Sequence, residues 1–326
     1  MALCVIAQPI HPVGSELLRA AGITVLQSAG PDALAAEVAR ADAAIVRDGL
    51  NVAQLDGATR LLLVANHGTG TDKIAVAHAH QLGIAVSNTP LANVRAVAEH
   101  TLYLMLAAAH QAVSADAATR TGNWRFKYDS RSVSLYGKTL GIVGFGRIGE
   151  LLCEMAGRGL GMRVLVWSPR ADPAAIHAAG AQAAGSLAQL LGQSDVVSLH
   201  RPLRSDTAHT INVETLAQMK TDAILVNTSR GGLIDETALV QALREGRIGG
   251  AGLDVFEQEP LSPSSPLAAL PNVVLSPHIA GSSQEALRAT ATQCAEQVIA
   301  ALSGRQPDNL LDPSVWGRRP VCSAAS

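Results

Sequence analysis

Short apolar runs alternate with alanine-rich, amphipathic stretches along most of the chain. In the first hundred residues this pattern predicts helices at 12–21, 31–41 and 72–82, and strands at 2–7, 23–27, 43–47, 60–66 and 83–87. Strands that alternate with helices predict a parallel sheet with helices on both faces. A longer apolar stretch at 93–118 predicts a single helix that leads into a second region.

The second region repeats this alternation around a glycine-rich turn. Its pattern predicts helices at 150–159 and 283–302, and strands at 139–143, 163–167, 195–200, 223–227, 249–256 and 273–276. We therefore expect an α/β protein with two Rossmann-like, doubly wound parallel-sheet domains and the active site in the cleft between them. The expected domains are a flavodoxin-like substrate-binding (catalytic) domain, residues 1–97 plus 287–326, and a dinucleotide-binding Rossmann domain, residues 98–286.

The glycine-rich turn predicts a dinucleotide site. Gly144 permits the tight turn, Gly146 lets the backbone approach a pyrophosphate, and Gly149 lets the helix pack closely on the strand. The pyrophosphate would lie at the helix N-terminus, where free N–H groups favour an anion. A predicted strand before the motif, and a helix and a second strand after it, make this interpretation more specific than the three glycines alone.

The residues after the second strand of this unit bear on the choice of cofactor. An acidic residue there would bind the ribose hydroxyls of NAD, but the chain has Ser168, with Arg170 two residues later. A hydroxyl and a guanidinium suit the 2′-phosphate of NADP. NADP(H) is therefore favoured over NAD(H), and the alternative is a solvated arginine beside less selectively bound NAD.

Composition and charge narrow the class of protein. Hydrophobic residues make up 48% and charged residues 16% of the 326 residues, as expected for a folded globular protein. A net charge of −2 without a basic block argues against nucleic acid and membrane surfaces as partners. The first nine residues lack a signal-peptide pattern, and the four cysteines have no metal or disulfide spacing, so we expect a cytoplasmic protein without a metal site.

Three successive predicted strands are each followed by a polar residue that can take part in chemistry: Arg230, Glu259 and His278. Reduction of a 2-keto acid needs a cation for the carboxylate and a proton donor for the carbonyl oxygen. An arginine can hold the carboxylate in a fork, and a histidine ionises near neutral pH. A glutamate paired with that histidine would fix the tautomer of the ring and favour its protonated form.

Four motifs resemble the D-isomer-specific 2-hydroxyacid dehydrogenase family, which includes phosphoglycerate dehydrogenases and glyoxylate and hydroxypyruvate reductases. They are VGFGRIG at 143–149, LVNTSRGGLID at 225–235, GLDVFEQEP at 252–260 and SPHIAG at 276–281, and the similarity runs from about residue 40 to residue 305. Ser168 and Arg201 depart from the common pattern. The glutamate at 259 differs from the glutamine of the related formate dehydrogenases.

The resemblance implies a role for each matching residue. Arg230, Glu259 and His278 would be catalytic, Asp254 would contact the nicotinamide carboxamide, and Trp124 matches a segment that reaches the neighbouring active site of a homodimer in some members. The residues assigned to the cofactor are Gly144, Gly146, Arg147, Ile148, Gly149, Ser168, Arg170, Arg201, Pro202, Thr228 and Asp254. Those assigned to the substrate are His67, Gly68, Thr69, Gly70, Arg230 and His278.

The sequence therefore predicts an NAD(P)-dependent oxidoreductase that reduces a small 2-keto acid, such as glyoxylate or hydroxypyruvate, to the D-2-hydroxy acid. Its partners would be this substrate, the cofactor and a second copy of the chain. Three alternatives stay open at this point: a phosphoglycerate dehydrogenase-like enzyme, a non-catalytic scaffold that senses NAD(H), and an enzyme that oxidises an inorganic anion on the same fold.

Overall fold

A computed structural model describes residues 2 to 318 of the chain. The chain forms two compact units, one of Met1–Val94 with Gly281–Ser326 and the other of Arg95–Ala280. The domain limits and the substrate and dinucleotide roles expected from the sequence stay predictions. Residues 319–326 of the expected substrate-binding domain lie outside the described residues.

The first unit is built on a parallel sheet. Within residues 2 to 318 its five strands are β1 (Leu3–Ile6), β2 (Thr24–Gln27), β3 (Ala43–Val46), β4 (Leu63–Asn66) and β5 (Ala85–Ser87). Their order, β2-β1-β3-β4-β5 with every pair parallel, is flavodoxin-like. The helices in this stretch are α1 (Pro12–Ala20), α2 (Pro31–Ala39), α3 (Val52–Leu55) and α4 (Val76–Gln81). Strands β3 to β5 are buried at every position, as expected when both faces of a sheet are covered.

The second unit contains a larger parallel sheet. Among the described residues its seven strands are β6 (Thr139–Val143), β7 (Arg163–Trp167), β8 (Gln182–Ala183), β9 (Val196–Leu199), β10 (Ile224–Asn227), β11 (Gly250–Leu253) and β12 (Val273–Leu275). The order β12-β11-β10-β9-β6-β7-β8 is the Rossmann order with one strand added beyond β11. The prediction of two parallel-sheet α/β domains is therefore confirmed.

The helices of the second unit correct one prediction. They are α5 (Val94–Ala109), α6 (Ala112–Arg120), α7 (Phe126–Asp129), α8 (Arg147–Glu154), α9 (Pro173–Ala178), α10 (Leu187–Gln193), α11 (Val213–Leu216) and α12 (Glu236–Arg244). The single helix predicted at 93–118 is wrong. The chain leaves α5 after Ala109 and restarts as α6 because Gln111 takes a left-handed conformation, with φ of 50°.

The last long helix, α13 (Gln284–Leu302), belongs to the first unit. It begins where the sequence predicts, because the Ser283 side chain accepts a hydrogen bond from Ala286 N and caps the first turn. Helix α13 packs on α1, where a Cβ atom at Gly14 would lie 3.2 Å from the Ala291 carbonyl oxygen. No helix in residues 2 to 318 is long and apolar enough to cross a membrane.

Candidate active site

The glycine turn lies between β6 and α8, at the carboxyl edge of the larger sheet. Gly144 has a φ of 102°, and a Cβ atom there would lie 2.7 Å from the His200 carbonyl oxygen. A Cβ atom at Gly149 would lie 2.8 Å from the Gly144 carbonyl oxygen, so only glycine lets the helix pack this closely. At Gly146 a Cβ atom would meet nothing within 4 Å. This open space is where the predicted pyrophosphate would approach the backbone.

The first turn of α8 is free to receive an anion. Gly146 is its N-cap and supplies no side-chain hydrogen bond, and the helix begins at Arg147, with Ile148 next. The first N–H groups of a helix have no acceptor within it, and together they carry a partial positive charge. Glycine at the turn and an uncapped helix N-terminus therefore fit a dinucleotide pyrophosphate at this position.

A cationic group of side chains surrounds the end of β7. The Arg201 guanidinium lies 5.3 Å from the centre of the Trp167 ring, and its side chain is largely buried. Arg201 and Arg170 each place an Nη2 atom 3.9 Å from Asp206 Oδ2. Ser168 is partly buried next to Trp167, and Pro202 is exposed. The predicted cofactor residues Ser168, Arg170 and Arg201 thus lie at the sheet edge that carries the glycine turn.

His278 and Glu259, on the loops after β12 and β11, form a hydrogen-bonded pair. His278 Nδ1 lies 3.0 Å from Glu259 Oε2, and the histidine side chain is 42% exposed. Glu259 Oε1 accepts a hydrogen bond from Phe256 N at 3.2 Å, which fixes the other end of the carboxylate. The Glu259–Pro260 peptide bond is cis. A carboxylate that holds one ring nitrogen leaves Nε2 as the nitrogen for proton exchange with a ligand.

Arg230 follows β10 on the same edge of the sheet. Its Nη1 donates to the Ser229 carbonyl oxygen at 2.7 Å, and its own carbonyl oxygen accepts from Asn227 Nδ2 at 2.8 Å. Ser229 Oγ donates to the Arg201 carbonyl oxygen at 2.7 Å, which ties this loop to the loop after β9. Thr228 is buried, with its hydroxyl 2.9 Å from that of Thr101.

Asp254, directly after β11, is fully buried and accepts several hydrogen bonds. Its carboxylate receives Ser276 Oγ at 2.6 Å and the backbone N–H groups of Ile279 and Ala280, each at 2.9 Å. Burial raises the pKa of Asp254, but the hydrogen bonds from His100, Ser276, Ala280 and Ile279 outweigh it and hold the pKa below its ordinary value. Asp254 is therefore a buried carboxylate anion.

The loop after β4, in the first unit, turns its carbonyl oxygens toward protein donors. Asn66 Nδ2 donates to the Gly68 and Gly70 carbonyl oxygens, each at 2.9 Å, and Asn88 Nδ2 donates to that of Thr69 at 2.8 Å. A loop with its carbonyl groups engaged in this way can present its N–H groups to an anion. Asn88 was missed in the sequence, where an asparagine directly after a predicted strand was the available signal.

His67, the first residue of this loop, lies inside its own unit. The side chain is buried, and in the described structure Nε2 has no hydrogen-bond partner. Burial and then the nearby Arg47 charge lower the pKa of His67 from 6.5 to about 4, so the ring is neutral at physiological pH. Its predicted contact with substrate stays a prediction.

The predicted absence of a metal site also stays a prediction. Residues 2 to 318 contain no group of three or more histidine, cysteine, aspartate or glutamate side chains that could hold a metal ion.

The second unit carries the features of a known family. Residues 102–280 match the family model described as D-isomer specific 2-hydroxyacid dehydrogenase, NAD binding domain. The chain belongs to the D-isomer specific 2-hydroxyacid dehydrogenase family. This membership confirms the predicted family and a nicotinamide cofactor.

Three relatives extend the comparison over most of the chain. A glyoxylate reductase of Korarchaeum cryptofilum is 42% identical over 279 residues, which cover 85% of this chain and 83% of that protein. A D-3-phosphoglycerate dehydrogenase of Methanocaldococcus jannaschii is 37% identical over 318 residues. The match covers 96% of this chain and 60% of that protein. The fold is also similar to a solved structure of an NADPH-dependent glyoxylate/hydroxypyruvate reductase of Sinorhizobium meliloti in complex with NADP and malonate. The TM-score is 0.87 at 28% identity, and the match covers 98% of this chain and 99% of that one.

Proposed function

We propose that this family member is an NAD(P)-dependent dehydrogenase that reduces a small 2-keto acid, such as glyoxylate or hydroxypyruvate, to the D-2-hydroxy acid. The observation that carries the proposal is the 3.0 Å pair of His278 and Glu259 at the carboxyl edge of the sheet that also bears the glycine turn. This edge is where parallel α/β sheets bind ligands. The similarity to glyoxylate reductases supports the choice of substrate class.

His278 is the acid in the proposed reaction, and a bound nicotinamide cofactor supplies the hydride. With Nδ1 held by Glu259, the protonated ring donates its Nε2 proton to the keto oxygen as negative charge develops there. Glu259 stabilises the imidazolium before transfer and orients the neutral ring afterwards. In the oxidative direction the neutral ring takes the hydroxyl proton back. The His278–Glu259 pair thus serves both directions of the reaction.

Arg230 is the proposed ligand of the substrate carboxylate. A guanidinium binds a carboxylate through two parallel hydrogen bonds and polarises the adjacent carbonyl group. For the loop at residues 68–70, taken within its own unit, the proposal is an anion contact through backbone N–H groups. The Asn66 and Asn88 hydrogen bonds support it, because they draw the carbonyl oxygens of the loop away from an anion. His67 would act in this loop through its position rather than through a charge, given its low pKa.

NADP(H) is the proposed cofactor in preference to NAD(H). Ser168 leaves no carboxylate at the end of β7 to repel a 2′-phosphate, and Arg170 and Arg201 bring two guanidinium groups to this position. Asp206 lies 3.9 Å from both, and the exposed Arg170 would exchange it for a phosphate at little cost because exposed ion pairs are weak. The reductase of Sinorhizobium meliloti, which is NADPH-dependent, agrees with this choice.

A homodimer in the cytoplasm is the proposed form of the protein. Large aromatic side chains of the second unit are strongly exposed, namely Tyr103, Trp124, Tyr128 and Tyr136. Exposed apolar surface of this kind marks interaction sites. The cysteines in the described part of the chain, Cys4, Cys153 and Cys294, are free thiols, which suits a reducing compartment.

Oxidation of NADPH and NADH by the purified protein tests the proposal, each with glyoxylate, hydroxypyruvate, pyruvate and a phosphorylated keto acid. We expect turnover on glyoxylate or hydroxypyruvate, faster with NADPH, and a D-configured product from hydroxypyruvate. Turnover on the phosphorylated acid alone would instead support the phosphoglycerate dehydrogenase-like alternative. Tight cofactor binding without turnover would contradict the proposal and support a sensing scaffold or an inorganic substrate.

A further inference from the structure

His278 has an unusual backbone conformation for a residue that is not glycine. Its φ is 52°, in the left-handed region, which costs on the order of 1 kcal/mol. The conformation persists only if the surrounding structure enforces it. Part of this restraint comes from the backbone, because His278 N donates to the Asp254 carbonyl oxygen at 2.8 Å and to the Ser276 carbonyl oxygen at 3.1 Å.

The Asp254 carboxylate supplies a further restraint on the backbone around His278. Its Oδ1 accepts from Ser276 Oγ at 2.6 Å and from Ile279 N at 2.9 Å, and its Oδ2 accepts from Ala280 N at 2.9 Å. These donors lie on both sides of His278 in the sequence. One buried side chain therefore fixes the segment 276–280 before and after the histidine, and thereby the direction in which the ring leaves the backbone.

His100, on α5, is the side chain that faces this carboxylate. His100 Nε2 lies 2.8 Å from Ser276 Oγ and 3.4 Å from Asp254 Oδ1. Because the single hydroxyl hydrogen of Ser276 is donated to Asp254, His100 Nε2 must be the donor to Ser276 Oγ. The imidazole side chain is only 16% exposed, and its ring lies 5.4 Å from the Tyr103 ring.

Removal of this donor would leave a buried hydroxyl and a buried carboxylate with one hydrogen bond fewer. A buried anion that loses a partner is costly, and the segment would adjust to recover solvent or another donor. This adjustment would move the His278 ring, because the same carboxylate holds the adjacent residues Ile279 and Ala280. Proton donors must be placed closely, and misplacement by about 1 Å can cost on the order of 100-fold in rate.

From these contacts we propose that His100 is a positioning residue, which acts through Ser276 and Asp254 to hold His278 at the angle required for proton transfer. The inference rests on the proposed function, because it assigns His278 the proton. It also gives Asp254 a role in the catalytic loop, in addition to the cofactor contact implied by the family resemblance.

The test compares His100→Phe, which keeps a ring but removes the donor, with His100→Gln, whose amide N–H can reach the position of Nε2. We expect His100→Phe to lower kcat about 10- to 100-fold with little change in KM or in the cofactor dissociation constant. The isotope effect from cofactor deuterated at the transferred position should rise, because transfer becomes rate-limiting. His100→Gln should recover most of kcat. His177→Phe, an exposed histidine on α9, is the matched control and should behave as wild type.

Ser276→Ala gives a second variant in case His100→Phe folds poorly. It removes the hydroxyl that links His100 to Asp254, so it should lower kcat in the same way, and the double variant should lose little more. An unchanged kcat in both single variants, strictly additive losses, or a loss of cofactor binding and stability that matches the loss of kcat would overturn the inference. Failure of the proposed function itself looks different, because the wild-type protein would then reduce no keto acid.

Discussion

His67 shows how burial sets the charge of a single residue. Burial and the Arg47 charge lower its pKa from 6.5 to about 4, so the folded protein holds the ring neutral. Between these two pH values the unfolded chain binds a proton that the folded chain does not. The contribution of the neutral His67 ring to the free energy of unfolding is therefore complete above pH 6.5. It is lost as the pH falls toward about 4.

We expect His67→Gln, which cannot titrate, to reduce the pH dependence of stability. Between pH 6.5 and about 5 the wild-type protein should lose about 2 kcal/mol more of its unfolding free energy than the variant does. Urea unfolding of both proteins at about pH 7 and about pH 5 measures the difference. Equal losses in the two proteins would show that His67 is not the buried neutral group described above.

Most residues of the candidate site could be located in the sequence. The side chains that hold these residues in position could not. Arg230, Glu259 and His278 follow strands, and parallel strands bring their carboxyl ends to one edge. His100 precedes Ser276 by 176 positions, so no local pattern joins them. The left-handed backbone of His278 is likewise restrained by Asp254, which follows β11 and is distant in the sequence, in addition to the neighbouring Ser276 carbonyl oxygen.

At the scale of elements, the β6–α8 connection separates two effects of glycine. Gly146 has extended backbone, with φ of −113°, and faces open space, so Gly146→Ala should fold normally. The added methyl group would occupy the approach of the pyrophosphate and weaken cofactor binding on the order of tenfold.

Gly149→Ala places Cβ 2.8 Å from a backbone oxygen, so it should lower stability by about 1 to 3 kcal/mol.

Thermal unfolding and fluorescence titration with NADPH measure these two effects on each variant. Gly146→Ala should weaken NADPH binding without a change in stability, and Gly149→Ala should lower stability. If Gly146→Ala bound NADPH as tightly as wild type, the pyrophosphate would not approach this backbone position.

The pattern of apolar residues predicted most strands, because parallel strands buried on both faces read as short apolar runs. It failed where the chain breaks an apolar stretch without glycine or proline. Gln111 ends the helical path between α5 and α6 in a left-handed conformation, and glutamine gives no sign of this. Strand β8, of two exposed residues, has too short a pattern to be recognised.

At the scale of the whole molecule, the exposed aromatic side chains predict association of two chains. Trp124 is 71% exposed in the second unit, and we expect a dimer of twice 33.7 kDa in solution. Trp124→Glu should shift the protein toward monomer because a charge in an apolar interface is costly. Val213→Glu, at a 65% exposed position on α11, is the control and should stay dimeric.

Light scattering after size-exclusion chromatography measures these masses. A monomeric wild-type protein at micromolar concentration would contradict the proposed dimer. Equal behaviour of both variants would show that Trp124 lies outside the interface.

The most direct test of the proposed chemistry is the turnover of His278→Asn compared with wild type, measured with NADPH and either glyoxylate or hydroxypyruvate. Asparagine tolerates the left-handed backbone that His278 adopts, so the variant removes the proton donor with little strain on the loop. We expect kcat to fall roughly 100- to 10,000-fold while the NADPH dissociation constant stays unchanged. Wild-type turnover in His278→Asn would contradict acid–base catalysis by the His278–Glu259 pair.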